Sequence, residues 1–169
     1  TCCSEIVTPN GRHAAYLYFH DNQEYIPNPS GAPINVRNSS DITFSLDGDH
    51  WVFIGKQNDK QIVIHDGIID KSYDKVENLT FSPDSKRLAY VVFEGEQQSF
   101  IVENGQEGKK YGSVGIPVFT PDSKKLAYSA YNFGTEGGSS ESFLVIDGKE
   151  GEKYKGINQG PIFSPDGKH

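Results

Sequence analysis

The sequence predicts an all-β fold built from repeated four-stranded antiparallel sheets, and three observations predict it. A turn signature returns at a steady pitch: TPNG from residue 8, SLDG from 45, SPDS from 82, TPDS from 120 and SPDG from 164, at steps of 37, 37, 38 and 44 residues. The segments around each turn are short, rich in Val, Ile, Phe and Tyr, and bounded by Gly, Asp, Asn and Pro, which is strand chemistry. No stretch keeps an apolar stripe at helical spacing over about eleven residues, so almost no helix is expected.

Each repeat lays out the same parts in order. An extended segment runs into the turn (NLTFSPDS, IPVFTPDS, GPIFSPDG), and an apolar-rich one follows (RHAAYLYF, HWVFIG, KRLAYVVF, KKLAYSAY). A third segment is QIVIHDG at 61–67, SFIVENG at 99–105 and SFLVIDG at 142–148; in the first unit it is weaker, EYIPN at 24–28. A fourth is short and polar, as in GKKYG and GEKYKG. Four strands in such a length match one blade of a β-propeller, for which related repeats run to about 40–45 residues. The expectation is a single repeat domain over 1–169 with approximate units 11–47, 48–84, 85–122 and 123–166: about four blades, an open or incomplete β-propeller. The longest step is explained by the Gly- and Ser-rich stretch NFGTEGGSSE at 132–141, a surface insertion.

The turn residues have physical reasons to recur. Pro9, Pro83, Pro121 and Pro165 preset φ at the second turn position, and Asn10, Asp47, Asp84, Asp122 and Asp166 can accept hydrogen bonds from nearby backbone N–H groups. Gly11, Gly48 and Gly167 tolerate positive φ; Ser85 and Ser123 replace glycine in the middle units, so positive φ there is either absent or held at a cost. The aromatics before the turn, Phe44, Phe81, Phe119 and Phe163, are expected between blades, with Leu88, Tyr90, Leu126 and Tyr128 from the LAY segments. A sheet cannot bury both faces alone, and stacking on the next sheet solves that. Tyr73, Tyr111 and Tyr154 recur in the polar fourth segment. They read either as edge tyrosines covering the blade or as an aromatic binding rim for a protein or glycan.

Composition narrows the function classes. A net charge of −7 without a Lys or Arg block speaks against nucleic acid as partner. No apolar run approaches the roughly 18 residues of a membrane span, so no membrane insertion is expected. The chain has no Met and starts at Thr1, which reads as a start inside a longer reading frame. Cys2 and Cys3 are adjacent and cannot close a useful loop; they read as reactive thiols, with a covalent dimer as the second reading. His13, His20, His50, His65 and His169 stand in no metal-ligand spacing, and Asp66, beside Gly67, reads as a turn residue. Asp47-Gly48-Asp49 lacks the further acids of a calcium loop. No nucleophile elbow, phosphate loop or dinucleotide fingerprint occurs. No catalytic residue, metal or cofactor is therefore expected. Asn38-Ser39-Ser40 and Asn78-Leu79-Thr80 are short glycan-acceptor patterns.

Ser82-Pro83-Asp84-Ser85-Lys86-Arg87-Leu88-Ala89-Tyr90, its copy Thr120 to Tyr128, and the truncated Ser164-Pro165-Asp166-Gly167-Lys168 resemble the SPDG-type unit of WD-like propeller repeats. That unit is found in the periplasmic propeller protein of the Tol system and in propeller domains of prolyl oligopeptidase-like enzymes. The resemblance implies that the strand before the turn is innermost and that the domain is a scaffold in an extracytoplasmic setting. It supplies no catalytic residue. Closed members of the family usually carry six or more units. Four units with open ends would expose apolar faces and favour a protein partner or self-association, as a homodimer or larger. The functional expectation is a non-catalytic scaffold for protein–protein interaction. The alternatives are a carbohydrate or small-ligand binding module and the propeller domain of a larger hydrolase.

Overall fold

A computed structural model describes residues 3–7, 10–11, 14–21, 23–26, 34–36, 42–133, 140–157 and 160–167. Expectations placed on Cys2, Pro9, His13, residues 38–40, the middle of the 132–141 loop, Lys168 and His169 lie outside the described residues, as does the side chain of Cys3. The chain falls into two compact units, Thr1–Val76 and Glu77–His169. The fold is all-β: four antiparallel sheets of about four strands, none closed into a barrel, in the manner of an open multi-bladed propeller. No helix occurs among the described residues.

The first unit holds two sheets. One runs in order β1 (Cys3–Val7), β2 (Ala14–His20), β3 (Gln23–Ile26), β4 (Ile34–Val36); the other β5 (Thr43–Phe44), β6 (Trp51–Gln57), β7 (Lys60–His65), β8 (Ile68–Tyr73). The second unit, from Glu77 on, holds most of β9 (Lys75–Phe81) with β10 (Leu88–Glu94), β11 (Gln98–Glu103) and β12 (Gln106–Glu107), then a sheet of β13 (Ser113–Val114), β14 (Val118–Phe119), β15 (Leu126–Asn132), β16 (Glu141–Ile146) and β17 (Lys149–Tyr154). Strands are laid down edge to edge in chain order, with β13 and β14 sharing one edge of β15. Every sheet begins with the strand before the turn, one strand earlier than units counted from turn to turn.

The turn recurs atom for atom. In the third repeat the Ser82 hydroxyl donates to Asp84 Oδ1 at 2.6 Å and accepts the Arg87 N–H at 2.9 Å. Backbone bonds from Ser82 N to Arg87 O and from Ser85 N to Ser82 O close the loop. The fourth repeat does the same with Thr120, Asp122 and Lys125 (2.7 and 2.9 Å), the second with Ser45, Asp47 and His50 (2.6 and 2.9 Å). Ser164 donates to Asp166 at 2.6 Å in the last. The fourth turn position takes positive φ throughout: Gly11, Gly48, Ser85, Ser123 and Gly167. A non-glycine residue is uncommon there. Ser123 is accommodated because its hydroxyl accepts the Asp84 N–H at 2.9 Å and its carbonyl accepts Arg87 Nη1 at 2.8 Å, so one turn grips the next. At Gly48 there is no such room: a Cβ would stand 3.0 Å from the Asn10 backbone nitrogen. Asn10 Nδ2 instead donates to Asp47 O and to Asp49 Oδ1, both at 2.7 Å.

A second polar stitch ties the third strand to the second. Asp66, Asn104 and Asp147 each precede a Gly, and both residues of the pair have positive φ, the backbone of a type I′ hairpin. Each side-chain Oδ1 accepts the N–H that opens the second strand: Trp51 at 2.9 Å, Leu88 at 2.9 Å and Leu126 at 3.0 Å.

The second and third strands carry the core: Leu88, Tyr90, Leu126 and Tyr128 are buried, and so are Ala89, Val91 and Ala127 between and beside them, so both faces of these strands are covered. Of the aromatics before the turns, Phe119 is buried, with the Arg87 guanidinium 4.8 Å over its ring. Phe44, Phe81 and Phe163 are only half-buried, a correction to the expectation that all four are core. The IPVF segment is not one strand either. Pro117 has no N–H to give, and Gly115 comes so close to Ser129 that an added Cβ would meet its Oγ at 2.3 Å. The edge therefore splits into β13 and β14.

Two outcomes test the turn. Ser82→Ala leaves the Arg87 N–H without its acceptor in a site where Ser82 is 1% exposed, and a loss of about 1–2 kcal/mol in chemical denaturation is expected. Ser82→Thr, which copies residue 120, is expected to stay near wild type. The carboxyls of Asp84 and Asp122 are held below their ordinary 3.8, by Ser82 and by Thr120 respectively and then by backbone N–H groups. A folded pKa below the unfolded one adds stability above the unfolded value, lost as pH falls through the folded value. The Asp84→Asn/Asp122→Asn variant should therefore melt below wild type at neutral pH, with the gap narrowing as pH is lowered from about 4. A gap that is constant with pH would show the carboxylate charge to be irrelevant.

Candidate functional site

One cluster of chemically capable side chains stands out in the first unit. His50 is the last residue before β6, His65 the last of β7, and Asp66 opens the hairpin that follows. Val52 lies opposite His65 in the ladder. His50, two residues before Val52, therefore shares a face with His65, because side chains alternate along a strand. Asp66 Oδ1 is fixed by the Trp51 N–H, which turns Oδ2 toward both rings. His50 Nδ1 lies 2.7 Å from Oδ2 and His65 Nε2 3.5 Å from it. The ring centroids are 5.9 Å apart, and one donor atom from each of the three residues falls within 4.8 Å of the others.

The two imidazoles differ electrostatically. The hydrogen bond to Asp66, accepted by its carboxylate, raises the His50 pKa above 6.5 against its partial burial, with help from the Asp66, Asp47 and Asp49 charges. Burial pushes His65 below 6.5, opposed by the Asp66 charge. The two rings are therefore pushed in opposite directions by the same surroundings.

The second unit shows how one sheet covers another. Ala89, Val91, Ile101 and Tyr111 of the third sheet pack with Leu126, Tyr128, Ala130, Phe143 and Val145 of the fourth. Tyr111 meets the Phe143 ring edge-on at 5.6 Å, and its hydroxyl donates to Glu150 Oε1 at 3.1 Å, a carboxylate that also holds Lys109 Nζ at 2.5 Å. Burial raises the Tyr111 and Tyr128 pKa values above 10, and Lys109 holds Glu150 below its usual range. Tyr73, Tyr111 and Tyr154 are true equivalents, lying opposite Gln61, Ser99 and Ser142 on the neighbouring strand. Gly108 and Gly151 precede the last two by three residues. A Cβ at either would crowd a carbonyl of the adjacent strand, Ile101 O at 3.0 Å and Leu144 O at 3.3 Å.

The rim expectation is corrected by these positions. Tyr73 and Tyr111 are buried, Tyr111 against Phe143 and Tyr128 of the fourth sheet; of the three only Tyr154, at 51% exposure, is open. Among the described turn residues, Asn10 donates to Asp47 O, and Asp47, Asp84, Asp122 and Asp166 each accept the Ser or Thr hydroxyl of their own turn. Sequence reasoning missed the His50–His65–Asp66 cluster, because no ligand motif has that spacing. A signal was present in the repeat. Positions 50 and 65 align with Arg87 and Glu103, which form an ion pair at 2.6 Å, and with Lys125 and Ile146; position 50 also aligns in sequence with His13 and His169, so it is His65, beside Asp66, that sets the second copy apart.

No family model matches the chain, and no curated protein matches it. Among solved structures, it is similar to the β-propeller domain of the Trilobed protease from Pyrococcus furiosus. The identity is 15%, over 83% of this chain and 53% of that one, with a TM-score of 0.52. It is also similar to TolB from Acinetobacter baumannii, at 18% identity over 98% of this chain and 46% of that one, with a TM-score of 0.48. The chain spans about half the length of these structures. At such identity the likeness is one of fold alone, to a β-propeller domain.

Proposed function

We propose that this chain is a non-catalytic propeller scaffold whose task is protein–protein interaction, and that the far face of its fourth sheet is the docking surface for a second copy of the same chain. The observation that carries the reading is the equivalence of two faces. Ile101 and Tyr111 of the third sheet are 3% and 2% exposed under the fourth sheet. Their ladder equivalents, Leu144 and Tyr154, have no such cover among the described residues: Leu144 is half-buried and Tyr154 exposed. Ile146 is exposed beside them, and Ile162, in the segment that repeats the IPVF edge, is 82% exposed. A groove of about 560 Å³ runs between these side chains and Phe163, and the Tyr154 hydroxyl is its one described polar side-chain group.

A face of this kind is matched in this chain by a blade face, so another copy is a suitable occupant. The neighbouring surface carries Lys125 and Lys149 beside Asp147 and Glu152. Mixed charge of this sort can pair with itself across a two-fold axis, and two-fold dimers are the commonest assembly. The polar side chains that recur, Ser82, Asp84, Asn104 and their equivalents, are committed to turns, which supports a scaffold rather than a reaction centre. No helix among the described residues is long and apolar enough to cross a membrane. An extracytoplasmic location is part of the proposal, supported by the repeat resemblance alone.

Light scattering over a wide concentration range tests the reading. Wild type should dimerise; Ile162→Glu should weaken that by about thirtyfold or more, the effect of a hot-spot residue, with unchanged circular dichroism. Ile68→Glu, at an exposed Ile of β8, should leave the dimer intact. A chain that is monomeric throughout, or an oligomer indifferent to Ile162→Glu, overturns the proposal. The equivalent tyrosines separate folding from docking. Tyr111→Ala should cost about 3–5 kcal/mol of stability, as buried aromatic truncations do. Tyr154→Ala, measured in dilute monomer, should stay within about 0.5 kcal/mol of wild type while weakening the dimer.

A further inference from the structure

We propose that His50, His65 and Asp66 form a binding site for a divalent transition-metal ion of the zinc type, with solvent completing the coordination. The donor set argues for the class. Two imidazole nitrogens and one carboxylate oxygen suit Zn²⁺, Co²⁺ or Ni²⁺, whereas Mg²⁺ and Ca²⁺ take oxygen shells. Three protein ligands and an open position form a common zinc arrangement.

The geometry is close to what such an ion requires. Ligand atoms at about 2.0–2.2 Å from a tetrahedral zinc stand roughly 3.3–3.5 Å from one another. His65 Nε2 and Asp66 Oδ2 are already 3.5 Å apart. His50 Nδ1 and Oδ2 are at hydrogen-bond distance, 2.7 Å, and would separate by less than an ångström as the ion replaces the shared proton. Ring rotation at a residue just outside the strand supplies that movement.

The supporting structure is rigid and divides the carboxylate's work. Asp66 Oδ1 accepts the Trp51 N–H at 2.9 Å and the Asp66 N–H donates to Trp51 O at 3.0 Å, so the backbone orients the carboxylate and Oδ2 is directed at the rings. Such outer partners fix ligand orientation in metal sites. The side chains of His50, His65 and Asp66 are 42, 39 and 35% exposed, so the cluster as a whole meets solvent, while the His65 Nε2 atom itself is buried within it. Asp47 and Asp49 act on His50, and Asp70 on His65, through negative charge, a field that favours a cation.

The repeat shows that the two histidines are not required by the fold. Asn104 and Asp147 make the same stitch as Asp66 with Arg87 and Glu103, or Lys125 and Ile146, at the positions of His50 and His65. The conservative variants are therefore supplied by the chain itself: His50→Lys and His65→Ile place the fourth-repeat residues in the second repeat.

Calorimetric titration of the full chain with Zn²⁺, and the visible spectrum with Co²⁺, test the site. Wild type should bind one ion per chain, with a tetrahedral or five-coordinate Co²⁺ spectrum free of thiolate charge-transfer bands. His65→Ile and His50→Lys should each weaken binding by at least about tenfold while the circular dichroism is retained. Absence of Zn²⁺ binding to wild type overturns the proposal. So does binding that both variants preserve, or binding that Cys2→Ser/Cys3→Ser abolishes and His65→Ile leaves unchanged.

Discussion

The structure depends on a buried hydroxyl with two obligations. Ser82 must give its proton to Asp84 and must receive the Arg87 N–H, and Thr120 and Ser45 do the same in their own repeats. This one side chain replaces the ladder bond that the strand cannot make while it reverses. It also sets the fourth turn position at positive φ, which brings Ser123 against the backbone of Asp84. A few ångströms away, Asp66, Asn104 and Asp147 repeat a second stitch from the third strand to the start of the second. Three strands are thus pinned at one end by side chains. At the other end the connections vary: Asn58-Asp59 in one sheet, Gly95 in another, and the long 132–141 loop in the last.

That asymmetry explains what was legible in the sequence. Everything pinned is local, so Pro, Asp, Ser and Gly announce it by type and spacing, and the strands between follow from alternation. What depended on another sheet was hidden. Tyr111 and Tyr154 follow the same G-x-K-Y pattern, yet one is enclosed and the other open, because among the described residues only the first has a sheet lying over it. Phe119 and Phe163 part company in the same way. The split of the IPVF edge needed a contact with Ser129, fourteen residues beyond Gly115. The histidine cluster needed the β6–β7 register, since residues 50, 65 and 66 form no local pattern until the hairpin is drawn.

A repeat that stacks in one direction gives each sheet a face that covers and a face to be covered. Within the second unit the third sheet's Ile101 and Tyr111 are covered by Phe143 and Val145. On the same face of the fourth sheet Leu144, Ile146 and Tyr154 meet Ile162 of the segment that follows, and these apolar groups line one groove. A contiguous apolar patch is the surface feature that calls for an explanation, whereas isolated exposed apolar residues such as Ile68 do not.

Positions 50 and 65 show where function has freedom to enter such a repeat. The turn and the stitch need Ser or Thr, Asp or Asn, and a residue able to take positive φ; they place no demand on the pair of side chains that flank them. The third sheet fills that pair with Arg87 and Glu103 and makes an ion pair; Arg87 then also reaches Ser123 O and the Phe119 ring. The fourth fills it with Lys125 and Ile146, on the margin of the apolar groove. The second fills it with two histidines over a carboxylate whose other oxygen is already held by the backbone. The same two ladder positions therefore serve a sheet-to-sheet clasp, an apolar margin and a set of metal-capable donors, with no change in the strands that carry them. Chemistry in this fold is to be sought where the repeat differs from itself, because the positions that agree are already occupied by the work of folding.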